Sequence, residues 1–138
     1  MECDEVILLD THAAIWFVTD NSSLGASARA KARSALADAA LFVSAITFWE
    51  IAFLVARRRL RPLRSSAEQR MTVLDAGVQE LPITGEIAIL GVEPGNLPGD
   101  PADRFIIATA ITHGATLITA DEALLAWRHS LVRLDACQ

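Results

Sequence analysis

The chain alternates short apolar runs with longer segments whose apolar residues recur at helical spacing. The clearest runs are residues 6–9, 41–43 and 116–119, each of which is short enough for a buried strand. Two weaker strands are predicted at residues 81–84 and 131–134, the second of them at a sheet edge. Such alternation predicts an α/β fold, in which helices cover both faces of a parallel sheet.

Helical spacing of apolar residues and helix-boundary signals predict helices in the segments between these strands. Helices are predicted at residues 11–19, 27–40, 45–60, 66–78, 85–90, 102–112 and 121–127. Ser65 or Ser66 is a suitable N-cap for the fourth helix, and Gly114 closes the sixth. The third helix is apolar almost all round, which predicts that it is largely buried. Since no repeat or linker interrupts the pattern, we expect residues 1–138 to form a single domain.

Composition narrows the class of protein. Hydrophobic residues make up 52% of the 138 positions and charged residues 21%, as in a compact globular protein. The longest apolar stretch, residues 45–56, is well short of the ~20 residues of a membrane helix, and no signal peptide precedes the first strand. We therefore expect a cytoplasmic protein with no membrane partner. Cys3 and Cys137 have neither disulfide-framework nor metal-ligand spacing.

The net charge of −5 disfavours a nucleic-acid partner, but the basic residues are unevenly distributed. Six arginines fall in the segment of residues 57–70: Arg57, Arg58, Arg59, Arg61, Arg64 and Arg70. A local basic patch can bind a phosphate backbone or an acidic protein. A solvated helix end explains the same pattern about equally well, because cations suit the C-terminal pole of a helix.

Four acidic residues lie where the ends of parallel strands should meet. Asp10 directly follows the first strand, Asp121 follows the strand at residues 116–119, and Asp103 opens the helix that leads into that strand. Glu50 lies about two turns into the helix after the second strand. Each aspartate alone is also a common N-cap, but Thr11 can cap the first helix in place of Asp10. Together the four acids predict one acidic pocket.

Glu50 is the least ordinary of these acids, because nearly all its neighbours along a helix are apolar. A buried carboxylate needs a partner, which is either Arg57 two turns along or a metal ion. Clustered carboxylates without cysteine or paired histidine favour Mg²⁺ or Mn²⁺. Such ions promote phosphodiester hydrolysis.

With these residues in place, the chain resembles the PIN-domain nucleases, in particular the VapC-type toxins of type II toxin–antitoxin pairs. The resemblance extends over about residues 6–127. The matching stretches are Leu8-Leu-Asp-Thr-His-Ala13 with Trp16, Val43-Ser44, Phe48-Trp-Glu-Ile51, Leu81-Pro-Ile83, Gly99-Asp-Pro-Ala-Asp-Arg-Phe-Ile-Ile-Ala-Thr-Ala110 and Gly114-Ala-Thr-Leu-Ile-Thr-Ala-Asp121. Short pieces such as Trp-Glu-Ile are weak signals, whereas the ordered set is specific.

The resemblance implies a three-layer α/β/α fold, a homodimer, an RNA substrate and a cognate antitoxin. It makes Asp10, Glu50, Asp103 and Asp121 the catalytic and metal-binding residues, with Asp10 and Asp103 as the most direct ligands of Mg²⁺ or Mn²⁺. Thr11 and Thr119 correspond to hydroxyl positions that hold carboxylates or water in place. Many relatives carry a lysine and a Gly-Lys pair after Trp-Glu-Ile, where this chain has Leu54, Arg58 and Arg59, so the resemblance does not extend to their substrate contacts.

The hypothesis for the mechanism is that a metal held mainly by Asp10 and Asp103 orients the phosphate. Water positioned by Asp121 or Glu50 then attacks in line, leaving 5′-phosphate and 3′-hydroxyl ends. Asp100 is either a loop or cap residue or an outer ligand of the site. Arg104 is either a phosphate contact or an ion-pair partner of a neighbouring acid, and Arg57, Arg58, Arg59 and Arg61 are candidate RNA or antitoxin contacts. Three tryptophans, Trp16, Trp49 and Trp127, are expected to pack in the core rather than stack on bases.

Other classes of function fit less well. Haloacid dehalogenase phosphatases and receiver domains also have acidic pockets at strand ends, but both need a late lysine and the only lysine is Lys31. No phosphate-binding Gly-Lys-Ser/Thr loop is present. The non-enzymatic alternative is a binding module that uses residues 57–70 to hold RNA or a protein, with the acids acting only as helix caps.

Overall fold

The computed structural model describes residues 5–57 and 64–138, so Arg58, Arg59 and Arg61 lie outside the described residues. Within these ranges, five strands form one parallel sheet in the order β3-β2-β1-β4-β5. The strands are β1 (Ile7–Leu9), β2 (Leu41–Ser44), β3 (Gln79–Leu81), β4 (Thr116–Thr119) and β5 (Arg133–Asp135). The predicted parallel sheet is confirmed.

Seven helices are present in the described part of the chain. They are α1 (Thr11–Val18), α2 (Ala26–Ala37), α3 (Ile46–Ala56), α4 (Ser66–Asp75), α5 (Gly85–Leu90), α6 (Pro101–His113) and α7 (Glu122–Ala126). Ser65 caps α4 in a capping box with Glu68, and Gly114 ends α6 in a left-handed conformation, φ 61°. Both end signals therefore act as the sequence predicts. Gly114 suits the end of α6 because glycine adopts positive φ without a Cβ penalty.

Alternate residues of the central strand β1 point into separate hydrophobic clusters on the two faces of the sheet. Ile7 and Leu9 belong to a cluster that includes buried residues of α1, α2 and α4. Leu8 lies between them in sequence and belongs to the other cluster, with residues of α3, α6 and α7. This period of two produces three layers, α/β/α, as predicted.

The direction of chain travel reverses at the centre of the sheet. From β1 the chain moves outward to β2 and β3, and it then returns to place β4 on the opposite side of β1. In open parallel sheets the connections leaving two such strands diverge, which opens a crevice at their carboxyl ends. The ends of β1 and β4 are therefore the expected position of a site.

Two features of the fold differ from expectation. Strand β3 begins at Gln79 and ends at Leu81, ahead of the predicted 81–84, because Pro82 cannot donate a ladder hydrogen bond. Its polar residues are tolerated because it is an edge strand. Helix α3 is less buried than predicted, with only Ile46, Thr47 and Ile51 fully buried.

None of the helices among the described residues has the length and apolarity to cross a membrane.

Candidate active site

Asp10 and Asp121 lie at the crevice between the ends of β1 and β4. Asp10 is the N-cap of α1, where its Oδ1 accepts a hydrogen bond from the Ala13 amide at 2.9 Å. Asp121 is the N-cap of α7 and accepts from the Leu124 amide at 3.1 Å. Each side chain is thus held in place by the start of its own helix. The prediction that Thr11 caps α1 is wrong, because Thr11 is the first residue inside the helix.

Helix α6 contributes two acids through a reciprocal capping box. Asp100 is the N-cap, and its Oδ1 accepts from the Asp103 amide at 2.9 Å, while the Asp100 amide donates to Oδ2 of Asp103 at 3.2 Å. Asp103 is therefore the third helical residue and not the cap itself. Gly99 lies against Asp103 with φ +86°, and a Cβ on Gly99 would fall 2.6 Å from Oδ2 of Asp103.

Glu50 reaches the same site from α3. It is the fifth residue of that helix, nearer the start than the predicted two turns. Its carboxylate accepts a short hydrogen bond from the Thr11 hydroxyl, which lies 3.2 Å from the Thr47 hydroxyl. Arg57, the predicted ion-pair alternative, instead lies over the ring of Phe53.

The acids are close enough to form a group. Carboxylate oxygens of Glu50, Asp100 and Asp103 lie within 4.8 Å of one another. Burial raises the pKa of Asp103 from 3.8 to about 7, and the charges of Asp100, Glu50 and Asp121 add to the rise against the opposing Asp100 backbone hydrogen bond. Among the described residues, the structure therefore brings two of the four predicted acids, Glu50 and Asp103, together with Asp100, whereas Asp10 and Asp121 lie outside this cluster of three.

Asp10 and Asp121 are electrostatically connected to these acids, since the charge of Asp10 acts on Glu50 and that of Asp121 acts on Asp103. Burial raises the pKa of Asp10, with Asp121 adding to the rise, and Asp10 is only 7% exposed. Burial also raises the pKa of Glu50, and the charges of Asp100 and Asp10 contribute. We define the acidic group as Asp10, Glu50, Asp100, Asp103 and Asp121. The raised pKa values of Asp10, Glu50 and Asp103 record chiefly the cost of burying these carboxylates, and then the repulsion from neighbouring negative charges.

Hydroxyl groups lower that cost. The Thr11 hydroxyl lowers the pKa of Glu50, and the Thr119 hydroxyl lowers that of Asp10, because each donates to the ionised carboxylate. Thr119 also accepts from the amide of Asp121 at 3.0 Å. Thr11 and Thr119 are both buried, so these contacts are well placed to orient the carboxylates.

The composition of the acidic group fits a hard divalent cation. Its members are all carboxylates, which Mg²⁺ and Mn²⁺ prefer over nitrogen or sulfur ligands. A cation among them would relieve the repulsion that adds to burial in raising the pKa values of Asp10, Glu50 and Asp103. Capping is compatible with this role, since each carboxylate has two oxygens.

Some neighbours of the acidic group were missed or left open by the sequence. His12 is exposed on the first turn of α1, and its positive charge lowers the pKa of both Asp10 and Glu50. Arg104 is exposed, and among the residues that the structure describes it has no acidic ion-pair partner. Trp49 is 54% exposed, so its predicted core position is wrong, whereas Trp16 and Trp127 pack against the two clusters.

Comparison with known proteins assigns the fold to a family. The family model of the PIN domain matches residues 7–128, which is most of the chain. The chain belongs to the PIN domain family. It is also 37% identical over 127 residues to ribonuclease VapC22 of Mycobacterium tuberculosis, an alignment that covers 89% of this chain and 92% of the relative. Phosphatase and receiver-domain alternatives are thereby excluded.

Solved structures share the fold at lower sequence identity. DNA-bound VapBC from Salmonella typhimurium aligns over 96% of this chain and 99% of that chain, with a TM-score of 0.66 and 17% identity. FitAcB from Neisseria gonorrhoeae aligns over 95% and 98%, with a TM-score of 0.64 and 23% identity. These similarities support the α/β/α architecture of this PIN domain.

Proposed function

We propose that this PIN domain is a metal-dependent endoribonuclease that hydrolyses RNA phosphodiester bonds and acts as the toxin of a type II toxin–antitoxin pair. The acidic group at the end of β1 and β4 is the observation that carries the proposal. The relative named ribonuclease VapC22 supports RNA as the substrate, since its sequence aligns along nearly the whole chain.

In the proposed mechanism, Asp10, Glu50, Asp103 and Asp121 hold Mg²⁺ or Mn²⁺, with Asp10 and Asp103 as principal ligands. When bound, the ion supplies positive charge to the phosphate and makes water more acidic. The hydroxyls of Thr11 and Thr119 favour the ionised forms of Glu50 and Asp10 and orient these carboxylates. Asp121 or Glu50 positions the attacking water and accepts its proton, and cleavage leaves 5′-phosphate and 3′-hydroxyl ends.

The remaining features are proposed together with this function. We propose that residues 1–138 act as one nuclease domain, that the chain forms a homodimer in the cytoplasm, and that a cognate antitoxin inhibits it. Several structural neighbours support an antitoxin, because they are VapBC or toxin–antitoxin complexes. Contact of Arg57 or Arg104 with RNA or antitoxin belongs to the same proposal, as do the contacts predicted for Arg58, Arg59 and Arg61.

The non-catalytic alternative is less well supported. Among the described basic residues of 57–70, Arg70 pairs with Glu80 at 2.8 Å and Arg64 donates to the Thr72 hydroxyl at 2.8 Å. These contacts occupy two of the cations that a phosphate-binding patch would need. The alternative also leaves the crowding of the acidic group unexplained.

Cleavage and metal binding by purified protein test the proposal. The chain should cut structured RNA only with Mg²⁺ or Mn²⁺, and Asp10→Asn or Asp103→Asn should lower the rate about a hundred-fold or more, because each removes a charged ligand. Glu93→Gln, a carboxylate-to-amide change at an exposed loop residue, is the matched control. Undiminished metal-dependent cleavage by the Asp103→Asn protein would reject the assignment.

A further inference from the structure

Helix α3 carries a stack of aromatic and cationic side chains on its exposed side. The rings of Trp49 and Phe53 have centroids 5.1 Å apart and planes inclined by 25°. The guanidinium carbon of Arg57 lies 4.7 Å from the centroid of the Phe53 ring. We call Trp49, Phe53 and Arg57 the aromatic ladder. Its members are four residues apart, so they form one stripe along the helix.

The ladder is not part of the core. Trp49 is 54% exposed and Phe53 40% exposed. Neither ring belongs to the two hydrophobic clusters found in residues 5–57 and 64–138. Large aromatic side chains stabilise a fold most when they are buried, so core packing does not account for these positions. A surface of this kind indicates contact with another molecule.

The position of the ladder connects it with the acidic group. Trp49 directly precedes Glu50, and Phe53 lies one turn beyond it on an adjoining strip of α3. Arg57 lies seven residues after Glu50, about 10 Å along the helix axis. A strand that places one phosphate at the acidic group therefore has its neighbouring nucleotides within reach of the ladder.

We propose that the aromatic ladder binds bases of single-stranded RNA beside the bond to be cut, an inference that rests on the proposed nuclease function. Ring faces stack on any base, which contributes about 1–3 kcal/mol per base. The chain has a net charge of −5 and concentrates acids at the site, so electrostatic attraction for RNA is weak overall. Stacking supplies affinity that does not depend on a positive field.

The chemistry of the ladder favours RNA over a protein partner. The stack ends in the cation of Arg57, which complements a phosphate, and it begins at Trp49, the residue next to Glu50 in α3. Base faces, a neighbouring phosphate and the scissile phosphate can therefore be engaged in sequence along one helix. A second copy of the chain would also be able to cover the rings, and the test distinguishes that case.

Binding without cleavage tests the ladder directly. The probes are a fluorescein-labelled single-stranded oligoribonucleotide and an abasic oligomer of equal length, both in EDTA. Trp49→Ala should weaken binding of the base-containing probe about ten-fold or more and leave the abasic probe unaffected. Trp49→Phe should retain most of the affinity, because a ring face remains. Val132→Ala, which truncates another apolar side chain that is 58% exposed, is the control.

Tryptophan fluorescence of the wild-type chain provides a second readout that needs no alanine variant. The base-containing probe should quench it, and Trp49→Phe should abolish most of the quenching. Equal affinity of wild type and Trp49→Ala for this probe, or equal weakening for the abasic probe, would overturn the proposal. So would a Trp49→Ala protein that changes from dimer to monomer in sedimentation while its RNA affinity stays unchanged.

The ladder and the nuclease function can fail separately. Loss of the ladder should raise KM for a single-stranded substrate with little change in kcat, since stacking holds the strand away from the reacting atoms. Cleavage that is metal-dependent but indifferent to Trp49 would reject the ladder alone. Base binding that depends on Trp49, in a wild-type chain that cleaves no RNA, would reject the nuclease function and retain the ladder.

Discussion

Replacing Asp103 by asparagine should stabilise the metal-free protein at neutral and alkaline pH. The pKa of Asp103 is raised to about 7, chiefly by burial and then by the charge of Asp100. Asparagine has nearly the same shape and keeps an oxygen that can accept from the Asp100 amide. The substitution therefore removes one negative charge from the crowded acidic group while preserving the capping box.

The direction of the pH dependence follows from proton binding. Between about pH 4 and pH 7 the folded chain holds a proton on Asp103 that the unfolded chain has released. The free energy of unfolding consequently falls as the pH rises through this interval. Below it Asp103 is neutral in both states, and above it the whole loss is present. Asp103→Asn should remove this dependence, so its advantage should grow from pH 4 to pH 8.

The size of the effect follows from the same shift. A carboxyl group whose pKa rises from 3.8 to about 7 loses about 4 kcal/mol of stability if nothing screens it. Asp103 is only partly buried, and water reduces the effect to about 1–2 kcal/mol. At pH 8 in EDTA, we expect Asp103→Asn to raise the free energy of unfolding by this amount and the Tm by about 3–8 °C.

Urea and thermal unfolding between pH 4 and pH 8 provide the measurement, with Glu93→Gln as the exposed carboxylate-to-amide control. Adding Mn²⁺ should then reverse the order, since a ligand that binds the folded state stabilises it and the wild type keeps its full set of ligands. An Asp103→Asn protein that is less stable than wild type at pH 8 would refute the reasoning. A difference of the same size at pH 4 and pH 8 would also refute it.

Two further predictions concern residues that hold the carboxylates in place. Gly99→Ala should weaken Mn²⁺ binding about ten-fold in calorimetry, because a Cβ would fall 2.6 Å from Oδ2 of Asp103. Gly95 also has positive φ, but a Cβ there would meet nothing within 4 Å. The control Gly95→Ala should therefore strain the backbone and leave Mn²⁺ affinity unchanged. Thr11→Val removes the hydroxyl that donates to Glu50, so the pKa of Glu50 should rise further and Mn²⁺ binding should require a higher pH. Thr11→Ser should restore the wild-type pH midpoint, and an unchanged midpoint in Thr11→Val would contradict the predicted role.

Local signals in the sequence are sufficient for most elements of the fold. The run at residues 116–119 coincides with β4, and Ser65 and Gly114 act at helix ends where their own backbone chemistry places them. These predictions succeed because strand period, capping and glycine conformation depend on residues close in sequence. The prediction for β3 is shifted because an edge strand needs little apolar patterning and the predicted range includes Pro82.

The acidic group is predictable in part for the same reason. Asp10 and Asp121 follow strands, and parallel strands end on one side of a sheet, so the sequence pattern alone is enough to infer their approach. For Asp100 the sequence does not decide between a cap and a ligand, because its capping role is local but its approach to Glu50 depends on how α6 packs against α3. The roles of these acids in metal binding and catalysis stay predictions.

By itself the sequence determined the alternation of strands and helices and the placing of Asp10 and Asp121 at strand ends, because those features depend on short-range periodicity. Only the tertiary structure decided that Thr11 donates to Glu50 and that Trp49 is exposed. An apolar pattern marks a side chain as able to be buried, but which side of α3 is covered depends on helices that are distant in sequence. Partners at the crevice are likewise set by the packing of α1, α3 and α6 and not by neighbours along the chain.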